Sequence, residues 1–207
     1  MTTYQGLDVL DFLTPDRGDG IDHEFLRPQD VVANPMGRER YRAKFEGSRL
    51  GWSFRWHATT RAEKRTLREW IDDHRGRAIP FWVPSYSRDL VVHEGASIGA
   101  EAIKIEKVEY TRQVFNNGNQ RRHLAIWEDG IVPSQFRGVT TAVETSSYDQ
   151  VGIDDPLAVA ITTGTYLSWL LLVRLAEDEI DIEHHGPTYA VADVPLIELP
   201  DEYPTPV

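Results

Sequence analysis

Residues 50–83 constrain the fold of this chain more than any other stretch, because they read as strand, capped helix and strand in succession. Leu50, Trp52, Phe54 and Trp56 alternate with Gly51, Ser53, Arg55 and His57, and a period of two marks a half-buried strand. Thr60-Arg61-Ala62-Glu63 then matches a capping box. In that motif the Thr60 hydroxyl accepts the N–H three residues on, and the Glu63 carboxylate reaches back to the start of the helix. Leu67, Trp70, Ile71 and His74 recur at helical spacing, so a helix over 61–75 should bury one face and leave Arg61, Lys64, Arg68 and Asp72 in water. Gly76 suits a left-handed residue past the helix end. Ile79, Phe81 and Val83 alternate again, with Trp82 on the other side, and Pro80 and Pro84 point to an edge or a short strand.

Around this unit the signal is almost all β. Tyr41, Ala43 and Phe45 alternate with Arg42 and Lys44, and with Gly47-Ser48 as the turn they suggest a hairpin over 40–57. Residues 1–30 are rich in Asp, Gly and Pro, above all at Thr14–Gly20, and 1–39 read as an arm or long loop with a short strand at Val9–Phe12. Further strands are expected at Leu90–His93, Ala102–Thr111, Arg122–Trp127, Thr140–Glu144, Leu157–Thr162, Leu167–Leu175, Glu179–His184 and Tyr189–Leu199. Asn116–Asn119, with its Asn-Gly pair, is a hairpin signal, and Glu128-Asp129-Gly130 is a second turn. The fold class is mainly β. A β-barrel or sandwich domain over 40–95 carries the helix and is completed by other strands of the chain. A β-sandwich-like domain over 96–199 follows, and 200–207 form an extended tail.

The chain has 207 residues, room for one large domain or two small ones, and no cysteine, so thiol chemistry, disulfides and cysteine–metal sites are excluded. Net charge is −11. Residues 140–207 carry 13 Asp and Glu against Arg174 alone, a balance of −12, which leaves +1 for the rest. An acidic end of this kind argues against nucleic-acid binding, which rests on Lys and Arg. It reads as a solvated surface or as a face for a basic partner. Met1–Leu7 lacks the basic and apolar regions of a signal peptide, and the apolar run Leu167–Val173 is too short to cross a bilayer, so the expectation is a protein made in the cytosol without membrane insertion.

No catalytic pattern stands out. The Gly-rich phosphate loop, the Gly-x-Ser-x-Gly elbow and the His-Glu-x-x-His helix are all missing from the sequence. His184 and His185 follow an acidic run, but neighbours on a strand point to opposite faces and would not share a metal. Glu179, Asp181 and Glu183 form a solvent-facing row with Ile180 and Ile182 turned inward. The pairs His93-Glu94 and His23-Glu24 supply no third catalytic member. The aromatic set Trp52, Phe54, Trp56, Trp70, Phe81, Trp82 and Tyr86 is either core or the lining of a sugar groove, with core favoured. Trp82 is the exception by parity, and Trp82 and Tyr86 are the candidate contacts beyond the core. A carbohydrate-binding module would use exposed Trp82 or Trp127. A glycoside hydrolase would need carboxylates such as Asp154, Asp155, Glu177 and Asp178 to converge.

The stretch Gly51-Trp-Ser-Phe-Arg-Trp56, then Ala62 to His74, then Gly76-Arg-Ala-Ile-Pro-Phe-Trp-Val-Pro84, resembles the distal tail protein class among the minor tail proteins of long-tailed bacteriophages. Residues 81–90 are similar to the strand that leaves the helix in such proteins. The similarity is looser over 160–200, at Leu171–Ile180 and Val194–Leu199, and residues 1–39 add nothing to it. The resemblance implies a structural virion component at the tail tip, made in the host cytoplasm. Its first domain would form a ring of six copies joining the tail tube protein to the tail hub and the receptor-binding apparatus. It implies a second, sandwich-like domain outside the ring, no catalysis and no cofactor.

Overall fold

A computed structural model describes residues 2–11, 22–26, 29–33, 39–43, 49–118, 120–128 and 133–206, with backbone only for those between 22 and 49. In chain order the strands are β1 (Thr2–Tyr4), β2 (Leu7–Val9), β3 (Asp22–Leu26), β4 (Gln29–Ala33), β5 (Glu39–Ala43) and β6 (Arg49–Ala58). Helix α1 (Arg61–His74) follows, then β7 (Phe81–Pro84), β8 (Leu90–Glu94) and β9 (Ala102–Glu106). A short helix α2 (Tyr110–Gln113) precedes β10 (His123–Trp127), β11 (Gln135–Glu144), β12 (Tyr148–Ile153), β13 (Tyr166–Leu175), β14 (Ile182–His184) and β15 (Ala190–Glu198). The fold is mainly β.

The chain divides into two units that are interleaved along the sequence. A barrel unit takes residues within 1–14, 81–172 and 202–207, and a helix unit takes those within 15–80 and 173–201. The consecutive division at 95/96 expected from sequence does not separate them. The reason is strand pairing. β15 lies antiparallel to β6 from Ala190↔Ala58 to Ile197↔Gly51, so the late strand completes the sheet that carries the early helix.

In the barrel unit, β13, β10, β11, β12, β9 and β8 pair antiparallel in that order, and β8 returns to β13 through Tyr166↔Val91 and Leu167↔Leu90. Closure removes the free edges that an open sheet exposes. Leu90, Ile103, Ile105, Leu124, Val139 and Val151 are among the side chains that fill it. The strand expected over Ala102–Thr111 stops at Glu106, because the buried Asp149 carboxylate accepts the N–H groups of Val108 (3.1 Å) and Tyr110 (2.9 Å) and turns the chain into α2. Asn116–Asn119 does not join two paired strands: β9 pairs with β12 and β8, and β10 with β11 and β13. The antiparallel neighbours on either side of Glu128–Gly130 are β10 and β11; residues 129 and 130 lie outside the described residues. β12 was not foreseen, and Leu157–Thr162 contributes only an isolated bridge, Ala96↔Ile161.

In the helix unit, β3 pairs with β6, β6 with β15, and β15 with β14 and with residues 173–175 of β13. The hairpin expected over 40–57 is not formed. β5 pairs with β4 and β6 with β3, because each strand finds its partner upstream; the turn at Gly47-Ser48 lies outside the described residues. Likewise residues 1–39 are not simply an arm: they contain β1 to β4, with the strand near Val9 ending there, while Phe12 and Thr14–Gly20 lie outside the described residues.

Helix α1 follows its local code. Thr60 Oγ1 accepts the Glu63 N–H at 3.1 Å, and Glu63 Oε2 accepts the Thr60 N–H at 3.2 Å and the Thr59 N–H at 2.7 Å. These bonds hold the Glu63 carboxyl below its ordinary range, the Thr59 backbone contact first among them. Leu67, Trp70 and His74 are buried, and Trp70 meets Trp56 edge-on with ring centroids 6.1 Å apart. Arg75 takes the left-handed position (φ 48°) and Gly76 the next (φ 63°). A Cβ on Gly76 would stand 2.6 Å from Asp178 Oδ1, the atom that accepts the Arg77 N–H.

Candidate functional site

The two residues singled out for outside contacts are both interior. Trp82 is fully buried and Tyr86 is 6% exposed. All four residues of β7 are buried, so both of its faces are covered, and strand parity could not reveal that. The cover on the Trp82 side comes from far away in sequence. Its ring packs against Tyr4 (5.5 Å), His123 (4.7 Å) and Tyr203 (5.7 Å), and its indole N–H donates to the Tyr4 carbonyl. The Tyr86 hydroxyl donates to the Leu10 carbonyl. Trp127 is buried as well, with its indole N–H on Ser168 Oγ at 2.6 Å. The rings proposed for sugar stacking therefore have no open face, and the aromatic set is core.

Around Trp82 the barrel unit holds a polar cluster that the sequence did not announce. His123 Nε2–H donates to the Pro204 carbonyl at 2.9 Å, which leaves Nδ1 as an acceptor for the Tyr4 hydroxyl at 3.0 Å. The Tyr4 oxygen also lies 3.4 Å from Asp154 Oδ2. Gly138, opposite His123 on β11, makes room: a Cβ there would lie 2.6 Å from the Pro206 side chain and 2.7 Å from Asp154 Oδ2. Burial pushes His123 down to about 4, and burial followed by Asp154 pushes the Tyr4 phenol upward. Both groups are thus neutral near pH 7. The pair serves to tie β1 and the 202–206 segment to the barrel wall. Asp154 and Asp155 also border a cleft of about 560 Å³ with Tyr4 and Arg137.

The helix unit carries a second concave surface. Its sheet buries Trp52, Phe54 and Trp56 of β6 and Ala192, Val194 and Leu196 of β15 on one side, the side of Trp70. The alternate residues point the other way, into an open groove of about 590 Å³. Ser53, Arg55 and His57 form its floor with Asp193, while Glu177, Glu179, Asp181 and Glu183 line it from the acidic run. Arg55 clamps Asp193 across the strands at 2.8 and 3.1 Å, and this bond holds the Asp193 carboxyl below its ordinary range. Glu179, Asp181 and Glu183 are exposed and Ile180 and Ile182 half-buried, although the strand expected over Glu179–His184 spans only Ile182–His184. His184 and His185 diverge as well. His184 meets Arg68 of α1 at 3.0 Å, whereas His185 borders the groove 3.4 Å from Glu183. Among the described residues, no cluster of three or more His, Asp or Glu side chains is arranged to hold a metal ion.

His93 stacks on Tyr148, and Glu94 pairs with Lys104 at 2.5 Å; the side chains of His23 and Glu24 lie outside the described residues. Among the described residues, no helix is long and apolar enough to cross a membrane. No protein-family model matches the chain, and no curated protein matches it significantly.

Proposed function

We propose that this chain is a structural assembly part of the distal tail protein kind, closing into a ring of six between a phage tail tube and the tail hub with its receptor-binding apparatus. The observation that carries this reading is the two-faced sheet of the helix unit. Among the described residues, one face is packed by α1 over an aromatic core, and the other carries a charged groove. Such a surface suits recognition between folded subunits, where fixed charges set orientation and partner choice. The sequence likeness over residues 40–90 supplies the setting. The rest of the molecule fits a passive part, since Trp82, Tyr86 and His123 are spent on internal packing. The test is size-exclusion chromatography with light scattering, followed by negative-stain microscopy of the purified chain and of tail particles carrying a tagged copy. Rings are expected, with the tag at the tail tip. A monomer at assembly-level concentration, absent from particles, refutes it.

A further inference from the structure

We propose that neighbouring copies of this chain dock head to tail, the basic stripe of α1 on one copy seating in the acidic groove of the next. This rests on the assembly reading and names the surfaces that would make it. On α1, Arg61, Lys64, Arg65 and Arg68 fall at i, i+3, i+4 and i+7, which is one stripe of a helix. They line a shallow hollow of about 240 Å³ with Glu69 and Asp72, and three of the four are exposed. The groove is lined by five carboxylates, Glu177, Glu179, Asp181, Glu183 and Asp193, with Arg55 among them.

These surfaces belong to opposite faces of one sheet. The helix covers the face of Trp56, and the groove lies over the face of Arg55. Within one copy the stripe's Arg65 pairs with Glu69 at 2.7 Å and its Arg68 meets His184 at 3.0 Å. Between copies the stripe and the groove can neutralise each other. A two-fold dimer centred on either surface would set groove against groove or stripe against stripe, which like charges oppose. Head-to-tail contact sets opposite charges together, and a heterologous contact of this kind builds a closed ring when the rotation between copies closes and an open filament when it does not. Charge complementarity thus selects a second copy of the chain as the occupant of the groove.

The experiment uses two reversals at exposed positions of the full chain, Arg61→Glu with Arg65→Glu, and Glu179→Lys with Asp181→Lys. Circular dichroism first checks that each variant is folded. Association is then measured by analytical ultracentrifugation at low salt. Each reversal alone should weaken self-association at least about 10-fold, and raised salt should weaken the wild type. Mixed in equal amounts, the two variants should assemble again, because each stripe then meets a groove of opposite sign. Either reversal assembling like the wild type, or a mixture that stays dissociated, overturns the proposal and leaves the ring reading standing. A wild type that never associates removes the ring reading itself.

Discussion

His123 gives this protein a calculable acid sensitivity. In the folded chain its imidazole is buried and held down to about 4, against an ordinary value of 6.5. Between those values the unfolded chain binds a proton that the folded chain refuses. Stability therefore rises with pH across that window: the contribution is complete above about pH 6.5 and is lost as pH falls toward 4. The gap is about 2.5 units, and at about 1.4 kcal/mol per unit the full loss is about 3 kcal/mol. Stopping near pH 5 exposes about 2 kcal/mol of it. The perturbation is His123→Gln, which removes the titrating group and leaves an amide that can still donate toward the Pro204 carbonyl. Urea unfolding of both proteins, followed by tryptophan fluorescence near pH 7.5 and near pH 5, supplies the comparison. Carboxylate effects are common to both and cancel. The wild type should lose about 2 kcal/mol more than the variant on acidification. Parallel losses would show that His123 is not held neutral by its surroundings and refute the reasoning. An NMR titration of the His123 ring in the wild type covers the case in which the variant fails to fold.

Gly76→Ala should cost about 2–3 kcal/mol in urea unfolding, because the residue keeps a left-handed backbone and its new Cβ displaces the Asp178 carboxylate from the Arg77 N–H. Adding Asp178→Ala should cost less than the sum of the two, since the obstructing carboxylate is then gone. Thr60→Ala should lower stability by about 1 kcal/mol through loss of the cap on the Glu63 N–H, read by thermal unfolding of α1 ellipticity.

What could be read early was what is settled within a few residues. The box at Thr60 and Glu63 and the stripe Leu67, Trp70 and His74 follow from local backbone geometry, and both are present; Glu179, Asp181 and Glu183 are exposed as expected, though only Glu183 lies in a strand. The acidic row was visible in the sequence, but not the groove it lines, because the floor comes from β6, more than a hundred residues away in sequence. The cluster of Tyr4, His123 and Asp154 left no local trace for the same reason.

The sequence by itself determined the helix, its caps, the β character of the rest and the sign of the charge at each end of the chain. Only the tertiary structure decided which strands pair, and through that which faces are sealed. Trp82 shows the physical reason. Parity says which side of a strand a residue takes, whereas exposure depends on whether distant segments cover that side, and here Tyr4 and Tyr203 do. The strand, helix and strand at 50–83 was the firmest local reading. Its two ends belong to different units, because β6 pairs with β15 and β7 with β2.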